Sequence, residues 1–162
     1  MAELISFENL QKVLQQFGEE IRNEYQDNLI RSNRIASGDL LNSVEFEVVQ
    51  RDASFKVNLL LSEYWKYLEE GTQPHKPPIS ALLKWIEVKP ILPRPLDNGR
   101  LPTPLQLAFA IRHKIGEEGT EGTQDLQKAT KTINEQWRDR IIEAFTKDVQ
   151  NTMDGYIIEF FK

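Results

Sequence analysis

The 162-residue sequence contains no cysteine. Disulfide bonds, thiolate zinc sites and cysteine nucleophiles are therefore excluded, and we expect an intracellular assembly, which suits this composition. Histidine occurs only as His75 and His113, so a zinc site would need carboxylates to complete its ligand set. No apolar run approaches membrane-spanning length. The first residues have neither the basic region nor the apolar run of a signal peptide, so we expect none.

Catalytic motifs are also missing. The sequence has no glycine-rich phosphate loop, and no serine lies in a nucleophile elbow. We expect no catalytic residue, no metal and no cofactor, with His75 in an exposed loop and His113 on a solvated helix face. Glu87-Val88-Lys89 leaves one enzymatic alternative, because metal-dependent nucleases use a carboxylate-x-lysine tripeptide to hold magnesium and orient water. In nucleases that tripeptide lies on a strand, whereas here it ends a predicted helix.

Charge and proline are distributed unevenly. The net charge of −5 argues against broad non-specific DNA binding. Residues 1–73 carry a net −6, residues 74–116 a net +5 and residues 117–162 a net −4, and all eight prolines lie between Pro74 and Pro104. A basic, proline-rich middle therefore separates two acidic ends. The length predicts a single domain over residues 1–162.

The first half of the chain shows a helical and then an alternating pattern. Ser6 is a candidate cap for a helix that runs to about Arg31, since apolar residues recur there at three- and four-residue steps. A polar connection with a Gly38-Asp39 turn follows. Two strands around residues 44–48 and 55–61 then form a hairpin, turning at residues 51–54, which we expect to pack on the first helix.

The sequence of the basic middle predicts short helices separated by glycine and proline residues that end or start them. A short aromatic helix ends at Gly71, which accepts a left-handed conformation. The pair Pro77-Pro78 opens a second helix that runs to about Lys89. Residues 90–102 are irregular. Thr103 caps the next helix through a capping box, and that helix is predicted to end at Gly116.

The last part predicts a glycine–threonine hinge at residues 116–123 and then a long amphipathic helix. Asp154-Gly155 indicates a turn, and residues 156–161 have the propensity of a final strand, with a continued helix as the competing interpretation. The fold class is therefore α+β: a small, mainly antiparallel sheet packed by helices, with long N-terminal and C-terminal helices.

A combination of motifs resembles one family. The aromatic segment 64–68 leads into Glu70-Gly71-Thr72, a proline pair follows, and the next helix carries Trp85. Upstream lies 37–44, Ser-Gly-Asp-Leu-Leu-Asn-Ser-Val, and downstream 108–115 is followed by Gly119-Thr120. In this order and spacing, the motifs are similar to those of tail-component or tail-completion (neck) proteins of tailed bacteriophages. The resemblance covers roughly residues 5–150.

The resemblance implies a structural virion protein of the neck or upper tail. Such a protein forms a homo-oligomeric ring, a hexamer or a dodecamer, which joins the portal and head-completion proteins to the tail. DNA passes through the channel without sequence-specific binding, and no membrane is involved. The expected location is the virion, and the host cytoplasm during assembly. A host-binding or regulatory module encoded by a prophage is the other non-enzymatic alternative.

Two groups of residues are candidates for this role. The first comprises turn and aromatic residues with a structural function, in which Tyr64, Trp65 and Trp85 are expected to form an aromatic cluster; the group is Gly38, Tyr64, Trp65, Gly71, Thr72, Pro77, Pro78 and Trp85. The second lies in the proline-rich loop at 90–102, which is long for a compact domain. We interpret it as an arm that docks on an adjacent subunit through Ile91, Leu92, Arg94, Leu96, Arg100 and Leu101.

Overall fold

The computed structural model describes residues 5–33, 35, 38–52, 54–89 and 91–160. The elements in chain order are α1 (Glu8–Arg31), α2 (Asp39–Asn42), β1 (Glu45–Arg51), β2 (Ser54–Leu60), α3 (Trp65–Glu70), β3 (Gly71–Thr72), α4 (Ile79–Val88), α5 (Pro104–Glu118), β4 (Thr120–Glu121) and α6 (Asp125–Phe160). Helices dominate, and the strands form two small antiparallel pairs, β1 with β2 and β3 with β4. The predicted α+β class with long terminal helices is confirmed.

The chain groups into two compact units. The first consists of Met1–Asn28, Val44–Leu60 and Leu126–Lys162, and the second of Leu29–Ser43 and Leu61–Asp125. The expectation of a single domain over residues 1–162 stays a prediction, and the two units are described one after the other.

The first unit is built on the apolar stripe of α1. Its members recur at three- and four-residue steps, so they lie on one face of the helix. The stripe is buried as the sequence predicted, at Leu10, Leu14, Phe17, Ile21 and Tyr25. Glycine is unfavourable within a helix, but Gly18 of α1 lets the ring of Phe46 approach the helix closely. A Cβ on Gly18 would lie only 2.3 Å from that ring.

The predicted hairpin is confirmed and packs on α1. Strands β1 and β2 pair antiparallel from Glu45 opposite Leu60 to Arg51 opposite Ser54. Asp52 in the turn has a positive φ of 52°, as two-residue hairpin turns require, and Ala53 lies outside the described residues. Because side chains alternate along a strand, one face points to the core, where the residues packed on the α1 clusters are Val48, Phe55, Val57 and Leu59.

The long helix α6 closes this core. Ile133 and Trp137 are buried with Phe17 and Ile21 of α1, and the rings of Phe17 and Trp137 meet edge-on with centroids 6.3 Å apart. A second aromatic group lies nearby, where the ring of Phe7 packs edge-on against Phe55 and stacked against Phe145. Such pairs add stabilisation beyond the area that they bury.

A carboxylate from α6 caps the start of α1. Asp148 is only 2% exposed, and its oxygens accept hydrogen bonds from the backbone N–H of Asn9 at 3.1 Å and of Leu10 at 2.8 Å, and from the Asn9 side-chain amide at 2.6 Å. These N–H groups have no partner within the helix, and the positive helix end favours an anion. The prediction that Ser6 caps α1 is therefore wrong, since its hydroxyl donates to the side chain of Glu8 instead.

The predicted turn at Asp154-Gly155 and the final strand are also wrong. Helix α6 continues through both residues to Phe160, and Phe161 lies outside the described residues. A strand must find a partner for its backbone N–H and C=O groups, whereas a helix satisfies them within itself. Without a partner strand among the described residues for this segment, the local strand propensity of its aromatic and β-branched residues is overridden.

In the second unit, α4 and α5 pack together. Helix α4 begins directly after Pro78, as the proline pair predicted. The carbonyl of Pro78 accepts hydrogen bonds from the N–H groups of Ala81 and Leu82. The capping box of Thr103 and Gln106 at the start of α5 is also confirmed. The predicted end of α5 at Gly116 is wrong. The helix runs to Glu118, and the next residue, Gly119, stops it by adopting a positive φ of 74°.

The Asp148 cap provides a test of this architecture. We expect Asp148→Ala to lower the free energy of unfolding by about 1–3 kcal/mol, because it leaves the first N–H groups of α1 without an acceptor in a buried site. Asp139→Ala is the matched control, since Asp139 is exposed on the same helix. Urea unfolding of both variants is the measurement. Equal midpoints for the two variants would show that the cap contributes nothing.

Candidate functional site

The two glycine–threonine segments of the sequence meet in the second unit. β3 and β4 pair antiparallel, with Gly71 opposite Glu121 and Thr72 opposite Thr120. The hydroxyl groups of Thr72 and Thr120 lie 2.9 Å apart and share a hydrogen bond. We call this pairing of Gly71-Thr72 with Gly119-Thr120 the glycine–threonine clasp. It brings together two motifs that are 48 residues apart in the chain.

Each glycine of the clasp makes room for a carbonyl of the opposite segment. A Cβ on Gly71 would lie 2.1 Å from the carbonyl oxygen of Thr120, and a Cβ on Gly119 would lie 2.1 Å from the carbonyl oxygen of Thr72. Both glycines also have positive φ, 77° and 74°. At Gly71 ψ is −168°, so this residue leaves α3 in an extended conformation and not in the left-handed helical one that the sequence predicted. No other residue type fits either position without moving backbone.

Residues in and next to the clasp also donate to carbonyl groups at the ends of the two helices that lead into it. Leu68 O of α3 accepts from the backbone N–H of Thr123 at 2.8 Å and from its hydroxyl at 3.2 Å. Ile115 O of α5 accepts from the N–H groups of His75 and Gly119. The predicted hinge at residues 116–123 is therefore wrong, because helix, strand pairing and these bonds hold the segment.

The remaining turn residues predicted as structural occupy the places that their conformations suit. Gly38 precedes α2 with a φ of 85°, and Ser37 of the upstream motif lies outside the described residues. Pro77 and Pro78 lead directly into α4, where Pro78 has an extended ψ of 136°. The glycine and proline residues of the motif thus serve the conformation of the backbone at turns and helix ends.

The aromatic residues of the motif do not form the predicted cluster of three. Tyr64 instead contacts Tyr67, with ring centroids 6.1 Å apart. Trp65 lies half-buried at the start of α3. Trp85 is half-buried on α4, and the ammonium of Lys89 lies 5.6 Å from the centre of its ring. Successive residues of the aromatic segment point in different directions on α3, so they do not all reach Trp85.

Tyr64 and Trp85 instead line a shared groove. Its volume is about 490 Å³, and all of its lining residues belong to the second unit. We call it the Trp85 groove. Most of its surface is apolar, from the side chains of Leu40, Leu41, Tyr64, Leu68, Trp85 and Val88. The volume is within the range of roughly 300–1,000 Å³ that binding pockets have.

The proline-rich segment is irregular, as predicted, from Ile91 onward, and most of its residues are exposed; Pro90 lies outside the described residues. A turn forms near its centre, where Leu96 N–H donates to Arg100 O at 2.8 Å. Leu92 is 96% exposed, Leu101 63% and Leu96 42%. Arg94 and Arg100 are exposed, and Ile91 is half-buried. The predicted interface side chains, apart from Ile91, therefore project from the unit.

The residues considered for catalysis do not converge. His75 is exposed in a loop, and His113 is exposed on α5, 3.1 Å from Glu117. Glu87 lies in the last turn of α4, and Lys89 donates a hydrogen bond to the carbonyl of Asn33. The part of the chain that the structure describes contains no group of three or more histidine or acidic residues placed to hold a metal ion. This geometry gives the nuclease alternative no support.

None of the described helices has the length and apolar composition of a membrane span. No family model matches the sequence, and no curated protein or solved structure matches it.

The glycine–threonine clasp predicts a large penalty for one methyl group. Gly71→Ala should lower the free energy of unfolding by about 3 kcal/mol or more, because the side chain meets a backbone carbonyl and the positive φ is also strained. Gly38→Ala is the matched control, because φ is similar there and the nearest atom to the new Cβ is 3.5 Å away. Its loss should be about 1–2 kcal/mol. Chemical unfolding curves decide, and losses of the same size would contradict the role of the clasp.

The two tryptophans provide a second comparison. Trp137 is 7% exposed in a core cluster, so Trp137→Ala should cost about 3–5 kcal/mol. Trp85 lies half-buried at an open groove, so Trp85→Ala should cost only about 1–2 kcal/mol. Urea unfolding followed by circular dichroism measures both. A Trp85→Ala loss as large as that of Trp137→Ala would mean that the groove is part of the core.

Proposed function

We propose that this chain is a structural, non-enzymatic virion protein from the neck or upper tail of a tailed bacteriophage. In this proposal it is one subunit of a ring that joins the portal side to the tail around the DNA channel. The starting point is the resemblance to tail-completion proteins, in which the order and spacing of several motifs agree.

The observation that carries the proposal is the exposed proline-rich segment. Leu92, Leu96 and Leu101 project into solvent from one irregular stretch, with Leu92 96% exposed. A single exposed apolar residue is ordinary, but several on one segment are typical of an interaction surface. Prolines restrict the free segment, so less conformational entropy is lost when it docks. Such an arm suits a protein that works by contacting its neighbours.

The use of the motif residues is compatible with this role. Gly71, Thr72, Gly119 and Thr120 are engaged in backbone pairing and in one hydroxyl contact. A motif that serves backbone geometry preserves a shape and needs no reacting group. This supports a scaffold function for the part of the chain on which the resemblance depends.

Charge provides further support. The net charge of −5 disfavours a protein that holds DNA tightly, and a channel subunit must let DNA pass. Arg94 and Arg100 lie exposed on the arm, without a salt bridge to a described residue. The acidic ends of the chain offer them partners on a neighbouring subunit.

Replacement of the arm tests the proposal. With residues 91–102 exchanged for a glycine–serine linker of equal length, the protein should still fold, because no residue of this stretch is fully buried. It should fail to enter virions, which mass spectrometry of purified particles measures. Asp97→Ser is the control, since it changes an exposed polar residue of the same segment and keeps the apolar side chains.

Two results would count against the proposal. Normal incorporation of the linker variant into virions would show that the arm is not needed for assembly. Absence of the unchanged protein from purified virions would reject the virion role and favour a host-binding or regulatory module.

In solution, we expect the protein to be a monomer that assembles into a ring when a portal complex is added. Mass photometry measures this change in mass. An unchanged mass would contradict ring formation on the portal.

A further inference from the structure

We propose that the Trp85 groove of one subunit receives residues 91–96 of a second copy of the chain. The inference rests on the proposed ring, for which it names the donor segment and the acceptor surface. The juxtaposition behind it is simple: one unit carries both an apolar groove with aromatic walls and an exposed apolar segment rich in proline.

The groove has the chemistry that recognises an extended proline-rich chain. Tyr64 and Trp85 line it, together with the aliphatic side chains of Leu40, Leu68 and Val88. Aromatic-lined grooves bind such segments because the proline ring and the flat aromatic face fit closely, and because an extended chain is already ordered. The walls thus suit a partner with prolines between aliphatic residues.

The segment Ile91-Leu92-Pro93-Arg94-Pro95-Leu96 is a partner of this kind. It has no helical or strand structure, and the prolines at 93 and 95 restrict its backbone. Leu92 lies almost wholly in solvent, at 96% exposure. Its transfer to an apolar groove would bury that side chain and remove apolar surface from water, which favours docking.

One charge pair fits the proposed contact. On the donor, Arg94 lies between the two prolines and is exposed. On the acceptor, the charged residues of the groove lining are Asp39 and Lys84, and both are exposed. The carboxylate of Asp39 is opposite in charge to the arginine that arrives with the segment.

The arrangement also dictates the symmetry of the assembly. Donor segment and acceptor groove are different surfaces of the same chain, so each subunit has one of each and the contact runs head to tail. Such a heterologous contact closes into a ring when the rotation between subunits divides a full turn. A symmetric dimer would use the same patch twice and does not follow from this pairing.

The absence of cysteine allows a direct test by disulfide trapping with the full-length protein. The donor variant is Leu92→Cys and the acceptor variant is Lys84→Cys, because Lys84 lines the groove. The two variants are mixed and oxidised, and a mass tag on one of them identifies mixed dimers on a denaturing gel. We expect about tenfold more mixed dimer than for the control pair, because docking raises the local thiol concentration.

The control pair is Leu92→Cys with Lys76→Cys, since Lys76 is also an exposed lysine of the same unit but lies outside the groove lining. The double variant Leu92→Cys/Lys84→Cys should form a ladder beyond the dimer. Two outcomes overturn the inference: a yield of mixed dimer no higher than that of the control, or a double variant that closes only within the monomer. The second outcome would mean that the segment folds back on its own groove.

The trapping result is separable from the test of the virion role. If trapping succeeds but the protein is absent from virions, the head-to-tail contact is supported and the virion function is rejected. If trapping fails but the protein is present in virions, only the pairing of segment and groove is rejected. Trp85→Ala in the acceptor, which leaves the Lys84→Cys thiol in place, should reduce the yield of mixed dimer to the control level, and an unchanged yield would contradict the role of the aromatic wall.

Discussion

The second unit depends on the close approach of two backbone segments. The carbonyl oxygens of Thr120 and Thr72 occupy the space that a side chain on Gly71 or Gly119 would fill. The pairing joins the end of α3 to the end of α5, although the two segments are far apart in the chain. The terminal carbonyl groups of both helices then find donors there, so helix ends that would otherwise need water are satisfied within the unit.

The clasp bears on the proposed function because it fixes the positions of the groove and of the proline-rich segment. The chain that leaves it after Thr72 runs through the proline pair into α4, which carries Trp85 and one wall of the groove. The proline-rich segment then connects α4 to α5, and α5 leads back to the clasp. Both ends of this excursion are thus held by the clasp, while most of the described residues between α4 and α5 are exposed. A rigid base with an exposed connection is the arrangement expected of a surface that engages partners.

Much of the fold could be predicted from residue order, and the errors have a common cause. Apolar periodicity identified α1, the hairpin and most of α6, and the Thr103 capping box located α5, because these signals are local. Ser6, Gly116 and the final strand were misinterpreted, since a distant carboxylate, a later glycine and the lack of a pairing edge decided those positions. At the candidate site, the turn residues and the exposed segment were predicted. The groove was not, because sequence order does not indicate which of Tyr64, Trp65 and Trp85 share a surface.

The sequence by itself determined the approximate positions of the long helices and of the hairpin, the start of α5, and the irregular stretch between α4 and α5. Spacing, proline and glycine act within a few residues, so these properties do not depend on the rest of the molecule. Only the tertiary structure decided that Asp148 caps α1 and that Gly71-Thr72 pairs with Gly119-Thr120. Those contacts join groups separated by 48 to 139 residues, and their geometry exists only once the packed core has brought the segments together.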